Sequence, residues 1–212
     1  MANVLILGAN GQIAQLVEKQ ILAETKDYLK LFLRHPERLE LQDLSREDVE
    51  EGDATDPNMV DRALSGIDVV YANLAGKDIE QQAKTVVEAM DHVDIKRLIW
   101  ISTLGIYDEV PGKFGEWNNK TLGSYLTNYG AAAKVIENSD LDYTLIRPAW
   151  LTNKDIVSYE TTQKGEPFKG TEVSRKSVAD LVSKLIEDPT KEVRHSVGIN
   201  QPDTDGDKPA FM

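Results

Sequence analysis

Gly8 and Gly11 lie between the apolar run Val4–Leu7 and a stretch in which Ile13, Leu16, Val17 and Ile21 recur at helical spacing. A buried strand, a glycine turn and a helix start together make a phosphate-binding device. The free N–H groups and the positive dipole end of the helix attract a pyrophosphate. Gly8 permits the tight turn, Gly11 presents no Cβ to the phosphates, and Ala14 lets helix and strand pack closely. The alternative is a strand–helix turn that holds no ligand. Arg34 ends the next apolar run, Leu29–Arg34, at the place where an NAD-specific fold puts an acid for the ribose 2′-hydroxyl. A cation there pairs instead with a 2′-phosphate, supported by His35 and Arg38, and this favours NADP over NAD. A solvated arginine at a strand end is the plainer reading. Asp53 can accept from an adenine amino group with Ala54 beside the ring, or cap the helix that starts near Pro57.

These residues need elements to hold them. Val49–Asp53, Ile67–Ala72, Leu98–Thr103, Tyr143–Pro148 and Ser196–Asn200 read as further strands. Helices are expected from Pro57, over the stripe Ile79, Ala83, Val86, Val87, Met90 and Val93, and around Ser124–Asn138. A last helix carries Val178, Leu181, Val182, Leu185 and Ile186, with Ser174 as its cap and Pro189 as its stop. Trp100 lies inside a strand and reads as buried. Asp108–Gly123 is polar and glycine-rich and reads as a loop, and Gln201–Met212 as a tail packed on the surface. The alternation predicts an α/β fold, a Rossmann-like doubly wound parallel sheet in a single domain over 1–212, with residues about 149–212 capping the site. Ligands in such sheets lie outside the carboxyl ends of the strands. That singles out Gly8–Gly11, Arg34, Gly52-Asp53, Asn73–Gly76, Ser102-Thr103 and Arg147-Pro148.

Composition narrows the classes. The chain has 212 residues, 41% hydrophobic and 28% charged, as expected of a soluble globular protein. A net charge of −12 argues against a nucleic-acid partner and means that an anionic ligand needs a local positive site. No apolar run approaches the roughly 20 residues of a membrane span. The first strand begins close to Met1, leaving no targeting segment, so a cytoplasmic location and no membrane partner are expected. Cys is absent, which removes thiolate chemistry and disulfides. His35, His92 and His195 show no metal-ligand spacing, so no metal site is expected.

Seven segments in order, GANGQIA at Gly8, LRHPERL at Leu33, GDATD at Gly52, NLAG at Asn73, ISTLGIY at Ile101, SDLDYTLIRPAWLTN at Ser139 and VSRKSVADL at Val173, resemble one family. It is the atypical NAD(P)H-binding branch of the short-chain dehydrogenase/reductase superfamily, which includes NmrA-like proteins and flavin and quinone reductases. The resemblance runs from about residue 3 to about residue 200. It implies that Gly8, Asn10, Gly11, Gln12 and Ile13 form the pyrophosphate loop and that Arg34 takes the 2′-phosphate. Asp53 and Ala54 would meet the adenine, and Leu74, Ala75 and Gly76 would pass under the cofactor ribose. Ser102 would lie at the strand end against the cofactor, and the neighbours of Pro148 would flank the nicotinamide.

The superfamily's usual catalytic set is a Ser or Thr, a Tyr, and a Lys four residues after that Tyr, whose charge lowers the Tyr pKa. Thr103 matches the first and Tyr125 the second, but Tyr129 stands at the Lys position. In the alternative register Tyr129 is followed by Ala133, with Lys134 about 100° further round the helix. Proton transfer by a Lys-activated Tyr is therefore disfavoured, and hydride delivery to a flavin, quinone or small carbonyl acceptor is favoured. Trp117, Tyr125, Trp150 and Asn153 fall in segments that can cover a flat ring or simply pack. The expectation is an NADPH-dependent reductase with a small-molecule acceptor and catalytic Thr103 and Tyr125. A non-enzymatic NmrA-like sensor that acts through a protein partner is the alternative. Epimerase chemistry, which needs the Tyr-x-x-x-Lys pair, ranks last. The oligomeric state is left open.

Overall fold

In the computed structural model, which describes residues 1–212, alternate residues of the first strand, β1 (Asn3–Leu7), enter two different cores. Val4 and Ile6 join one face of the sheet and Leu5 and Leu7 the other, as period-two geometry requires when both faces are covered. Behind β1 come α1 (Gln12–Glu24), β2 (Tyr28–Leu33), β3 (Glu47–Glu51), α2 (Pro57–Ala63), β4 (Val69–Ala72), α3 (Ile79–His92) and β5 (Arg97–Ile101). The second half runs α4 (Gly112–Leu122), α5 (Ser124–Glu137), β6 (Asp142–Pro148), β7 (Trp150–Thr152), β8 (Glu160–Gln163), β9 (Glu172–Ser174), α6 (Arg175–Glu187) and β10 (His195–Asn200). No helix is long and apolar enough to cross a membrane.

The main sheet has the order β3-β2-β1-β4-β5-β6-β10-β8, parallel except for β8, which runs antiparallel to β10. This is the expected Rossmann-like doubly wound sheet, with its order reversing between β1 and β4. One core joins β1 to α1 and α6 through Ile13, Val17, Ile21, Val178, Val182 and Leu185. The other joins it to α2, α3 and α5 through Val60, Ala83, Val86, Met90, Ala133 and Ile136, with Trp100 fully buried beside them. Beyond residue 149 the chain does several jobs. β8 and β10 extend the main sheet, α6 covers one face, and β7 and β9 form a small parallel pair. The tail packs through Pro209, which is buried, and through Ala210 N–H, which donates to Glu172.

Two local expectations are corrected. Gly112–Leu122, expected within a loop, is helix α4. Its two glycines and polar residues are poor helix formers, but Phe114, Trp117 and Asn118 share one face, and Phe114 and Asn118 are buried. Tertiary packing outweighs propensity there. The cap of α2 is Asp56, not Asp53: its carboxylate accepts from Asn58 N–H at 2.9 Å and Met59 N–H at 3.3 Å, with Pro57 at the first helical position. At α6 the cap is Ser174, which accepts from Ser177 N–H at 3.0 Å.

One buried contact makes stability depend on pH. Glu18 of α1 and Glu47 of β3 are both buried, and each has a carboxylate oxygen with no hydrogen-bond partner. Glu47 accepts from the Gln42 and Asp43 N–H groups. Burial first, and then the Glu47 charge, push the Glu18 carboxyl up from 4.5 to about 7. A folded-state pKa raised this way gives stability that is complete below 4.5 and is lost as pH climbs through about 7. Glu18→Gln should therefore flatten the decline in melting temperature between about pH 4.5 and 7, by about 2–4 °C per kcal/mol for a chain of this size. Thermal unfolding followed by circular dichroism across that range checks this, and parallel curves for the two proteins would refute it.

Candidate cofactor and acceptor site

The turn between β1 and α1 fits against the end of β4 with no space to spare. Gly8 has φ +77°, and its N–H donates to Phe32 of β2 at 2.9 Å. A Cβ on Gly8 would lie 2.5 Å from the Asn73 carbonyl oxygen, and one on Gly11 would lie 1.8 Å from Asn73 Nδ2. The Asn73 backbone thus excludes a side chain on Gly8, and one on Gly11 would first require the Asn73 amide to move, before any ligand is considered. Asn73 is held by its N–H to Leu7 at 2.9 Å, and its side-chain oxygen accepts from the buried Tyr71 hydroxyl at 3.4 Å. Gln15 Nε2 donates to the Asn10 carbonyl at 3.1 Å and to Asn10 Oδ1 at 3.2 Å, which fixes the tip of the loop. No side chain caps α1 and its first turn has no acid, so its leading N–H groups and dipole stay open to an anion.

Two cavities meet at this turn. The smaller, about 310 Å³, is lined by Gly8, Asn10 and Gly11, by Arg34, His35 and Arg38 after β2, and by Asp53 and Ala54 after β3. Arg34 is exposed and has no carboxylate partner among the ion pairs, while His35 approaches Glu37 at 3.4 Å. Thr55 donates to Asp53 Oδ1 from both its N–H and its hydroxyl, each at 2.9 Å. The Thr55 N–H first, then its hydroxyl and the Arg34 charge, hold the Asp53 carboxyl below its ordinary range against the effect of burial. Asp53 is therefore an ionised acceptor within this cavity.

The larger cavity, about 460 Å³, shares Asn73, Leu74 and Ala75 with the smaller one, so the two adjoin. Gln12 and Ile13 open it, Ser102, Thr103 and Leu104 follow β5, and Pro148, Ala149, Trp150 and Leu151 continue from β6. Leu122, Tyr125, Tyr129 and Arg175 complete the wall. Gly76 lies outside both cavities, at φ +127°, against the Asp78 side chain.

The structure brings Thr103 and Tyr125 to this one cavity and supplies no lysine beside them. Tyr129 occupies that place, its ring stacked on Tyr125 with centroids 4.1 Å apart and planes 23° apart. Burial first, then the adjacent Tyr125 hydroxyl, push the Tyr129 phenol well above its usual range, which makes it a poor proton donor. Lys134 is exposed on the same helix and does not line the cavity. Trp150 is anchored by its Nε1–H to Asn118 Oδ1 at 2.9 Å and backed by Trp117, with ring centroids 4.8 Å apart and planes tilted by 55°. Trp117 and Asn153 stand behind the wall, Asn153 accepting from Arg175 at 2.9 Å. Asn73, Tyr129 and Arg175 are the site residues that sequence reasoning left without a role. The NLAG and VSR segments drew attention to two of them, but the contacts that give them roles cross between elements.

Known proteins agree with this geometry. A family model described as NAD(P)H-binding matches residues 8–189. A solved Rossmann-fold NAD(P)-binding family protein from Shigella flexneri is 44% identical, with all of both chains covered and a TM-score of 0.86. A short-chain dehydrogenase/reductase from Veillonella parvula, solved in complex with NADP, is 30% identical over 99% of each chain, with a TM-score of 0.93. A Bacillus subtilis protein described as an uncharacterized sugar epimerase, YhfK, is 26% identical over 90% of this chain and 91% of its own. With the family model spanning most of its length and the open α1 terminus where a pyrophosphate would sit, this chain belongs to the NAD(P)H-binding family of Rossmann-like proteins.

Proposed function

We propose that the protein is an NADPH-dependent reductase of a small quinone, flavin or carbonyl acceptor. The observation that carries this reading is that the two cavities adjoin at Asn73, Leu74 and Ala75, with cations lining one and an apolar, hydroxyl-bearing wall lining the other. The residues fit a dinucleotide: Gly8 admits no Cβ, Gly11 admits one only if the Asn73 amide moves, and the α1 terminus is uncapped. Asn10, Gln12 and Ile13 would complete the pyrophosphate loop, and Arg34, with His35 and Arg38 beside it, would pair with a 2′-phosphate. Asp53 and Ala54 would meet the adenine, with Leu74 and Ala75 along the ribose and Ser102 and Pro148 toward the nicotinamide, while Gly76 follows outside the cavities. When bound, NADPH supplies a hydride that, with one proton from solvent, converts a quinone to the hydroquinone and leaves NADP⁺.

Thr103 and Tyr125 would then orient the acceptor oxygen, and Trp150 would cover its ring. With Tyr129 in place of a lysine, the cavity lacks the Tyr and Lys pair that protonates a ketone oxygen, and this favours quinones and flavins over simple ketones. The same feature disfavours sugar epimerisation, despite the description of the Bacillus subtilis relative. It also supports a second reading, an NmrA-like sensor that binds NADP(H) and reports redox state to a protein partner. Our reading places the protein in the cytoplasm, with no nucleic-acid or membrane partner.

Calorimetric titration with NADP⁺, NADPH, NAD⁺ and NADH, followed by absorbance after adding a simple quinone, tests the proposal. Tight NADPH binding with oxidation on quinone addition is expected, and binding without oxidation would favour the sensor. Arg34→Glu should weaken NADPH binding at least about tenfold, a loss of about 1.4 kcal/mol, while NADH binding changes far less. Equal losses would remove the 2′-phosphate assignment. Gly11→Ala should abolish nucleotide binding, and the double variant with Asn73→Ala should recover part of it by clearing the space. Tyr125→Phe should slow turnover with unchanged NADPH affinity, and an unaltered rate would take Tyr125 out of the reaction.

A further inference from the structure

Arg175 is the first residue of α6, where the helix dipole disfavours a positive charge. Its side chain nevertheless lines the larger cavity and is half-buried, and burial alone lowers its pKa from the ordinary guanidinium value. The adjacent lysines are both neutralised, Lys176 by Asp155 and Lys154 by Glu172. Arg175 takes part in no ion pair and has only the neutral Asn153 amide as partner, at 2.9 Å through Nη1. The chain carries 36 acidic residues against 24 basic ones, so a cation left without a carboxylate beside an apolar pocket is set apart for something else. The remaining donors of its planar fork match a carboxylate in geometry and charge. Trp150, Leu122 and Tyr125 form the apolar part of the same wall, suited to a flat ring.

We infer that Arg175 is a specificity residue that selects acceptors bearing a carboxylate on or beside a planar ring. This rests on the reductase reading and narrows it to acidic aromatic acceptors. Without such a cation the protein's net charge of −12 would repel an anionic acceptor, so the site must supply the positive charge locally. Arg175 lies outside the smaller cavity that holds Arg34, which separates the charge that would read the acceptor from the charge that would read the cofactor.

The test uses anthraquinone-2-carboxylate and the uncharged anthraquinone-2-carboxamide as probes. Each is titrated calorimetrically into NADP⁺-loaded protein and then offered as acceptor with NADPH. The carboxylate should bind about tenfold tighter than the carboxamide, a preference that shrinks as salt is raised. It should also show the lower KM, with kcat values that are close. Arg175→Met should abolish the preference while leaving carboxamide and NADP⁺ affinities unchanged, and Arg175→Lys should retain part of it. Equal binding of both probes to the native protein would overturn the anion assignment and leave the reductase reading intact. A preference that survives in Arg175→Met would overturn it too. A loss of NADP⁺ affinity in that variant would move Arg175 to the cofactor. Binding of neither probe by protein that does bind NADP⁺ would overturn both the inference and the acceptor pocket.

Discussion

The close approach of the β1–α1 turn to Asn73 is the constraint on which the site depends. It arises where the order of strands reverses: the chain leaves β1 toward α1 on one face of the sheet and leaves β4 toward α3 on the other. Two helices departing to opposite faces open a crevice between the strand ends, and this is where doubly wound sheets bind ligands. Closing the bottom of that crevice requires Gly8 at positive φ against the Asn73 carbonyl and Gly11 against the Asn73 amide. The turn proposed to hold a pyrophosphate is therefore also a packing joint. A substitution there would disturb β4 and the turn together.

The layers of the fold were legible because burial dictates pattern. Strands covered on both faces read as continuous apolar runs, as in Val4–Leu7 and Leu98–Ile101, while α3 and α6 show their core stripes at helical spacing. α4 was illegible for a physical reason. Gly112, Gly115 and its asparagines oppose helix formation, and Gly115 is needed because a Cβ there would lie 2.0 Å from the Val110 carbonyl. Only the folded chain shows that Phe114 is buried and that Trp117 packs against Trp150 of β7. The α2 cap could not be fixed from sequence because both Asp53 and Asp56 are plausible acceptors. The hydrogen bonds to Asn58 and Met59 decide between them.

In the site, residues acting through local geometry could be read and residues acting through tertiary contact could not. The glycine turn, Arg34 at its strand end, and Thr103 and Pro148 after their strands all follow from position along one element. Tyr129 could be seen to replace a lysine, but not that its ring would stack on Tyr125. Nor does sequence show that Arg175 faces the cavity while Lys176, one residue on, is exposed and paired. A helix start presents successive side chains about 100° apart, so a single position separates a binding residue from a solvent-facing one.

The wall of the larger cavity also has a buried support. Arg147 is fully buried in β6 and pairs with Glu109 in the loop after β5, whose side chain is nearly as hidden. The Arg147 Nε–H donates to Ser196 Oγ at 3.0 Å, and its Nη2 donates to the Ser196 carbonyl at 3.2 Å. Glu109 in turn accepts the Gly105 N–H at 3.0 Å and the Tyr107 N–H at 2.9 Å. Dehydrating two charges offsets most of their attraction, so such a pair adds little net stability, although losing one partner costs about 3–5 kcal/mol. Its consequence is geometric. The loop that follows Thr103 is tied at two backbone positions to a carboxylate, the carboxylate to Arg147, and Arg147 is followed by Pro148 in the cavity wall. Thr103 and Pro148 come from neighbouring strand ends with different exit paths, and the buried pair keeps those exits in a fixed relation where orientation of an acceptor would demand it.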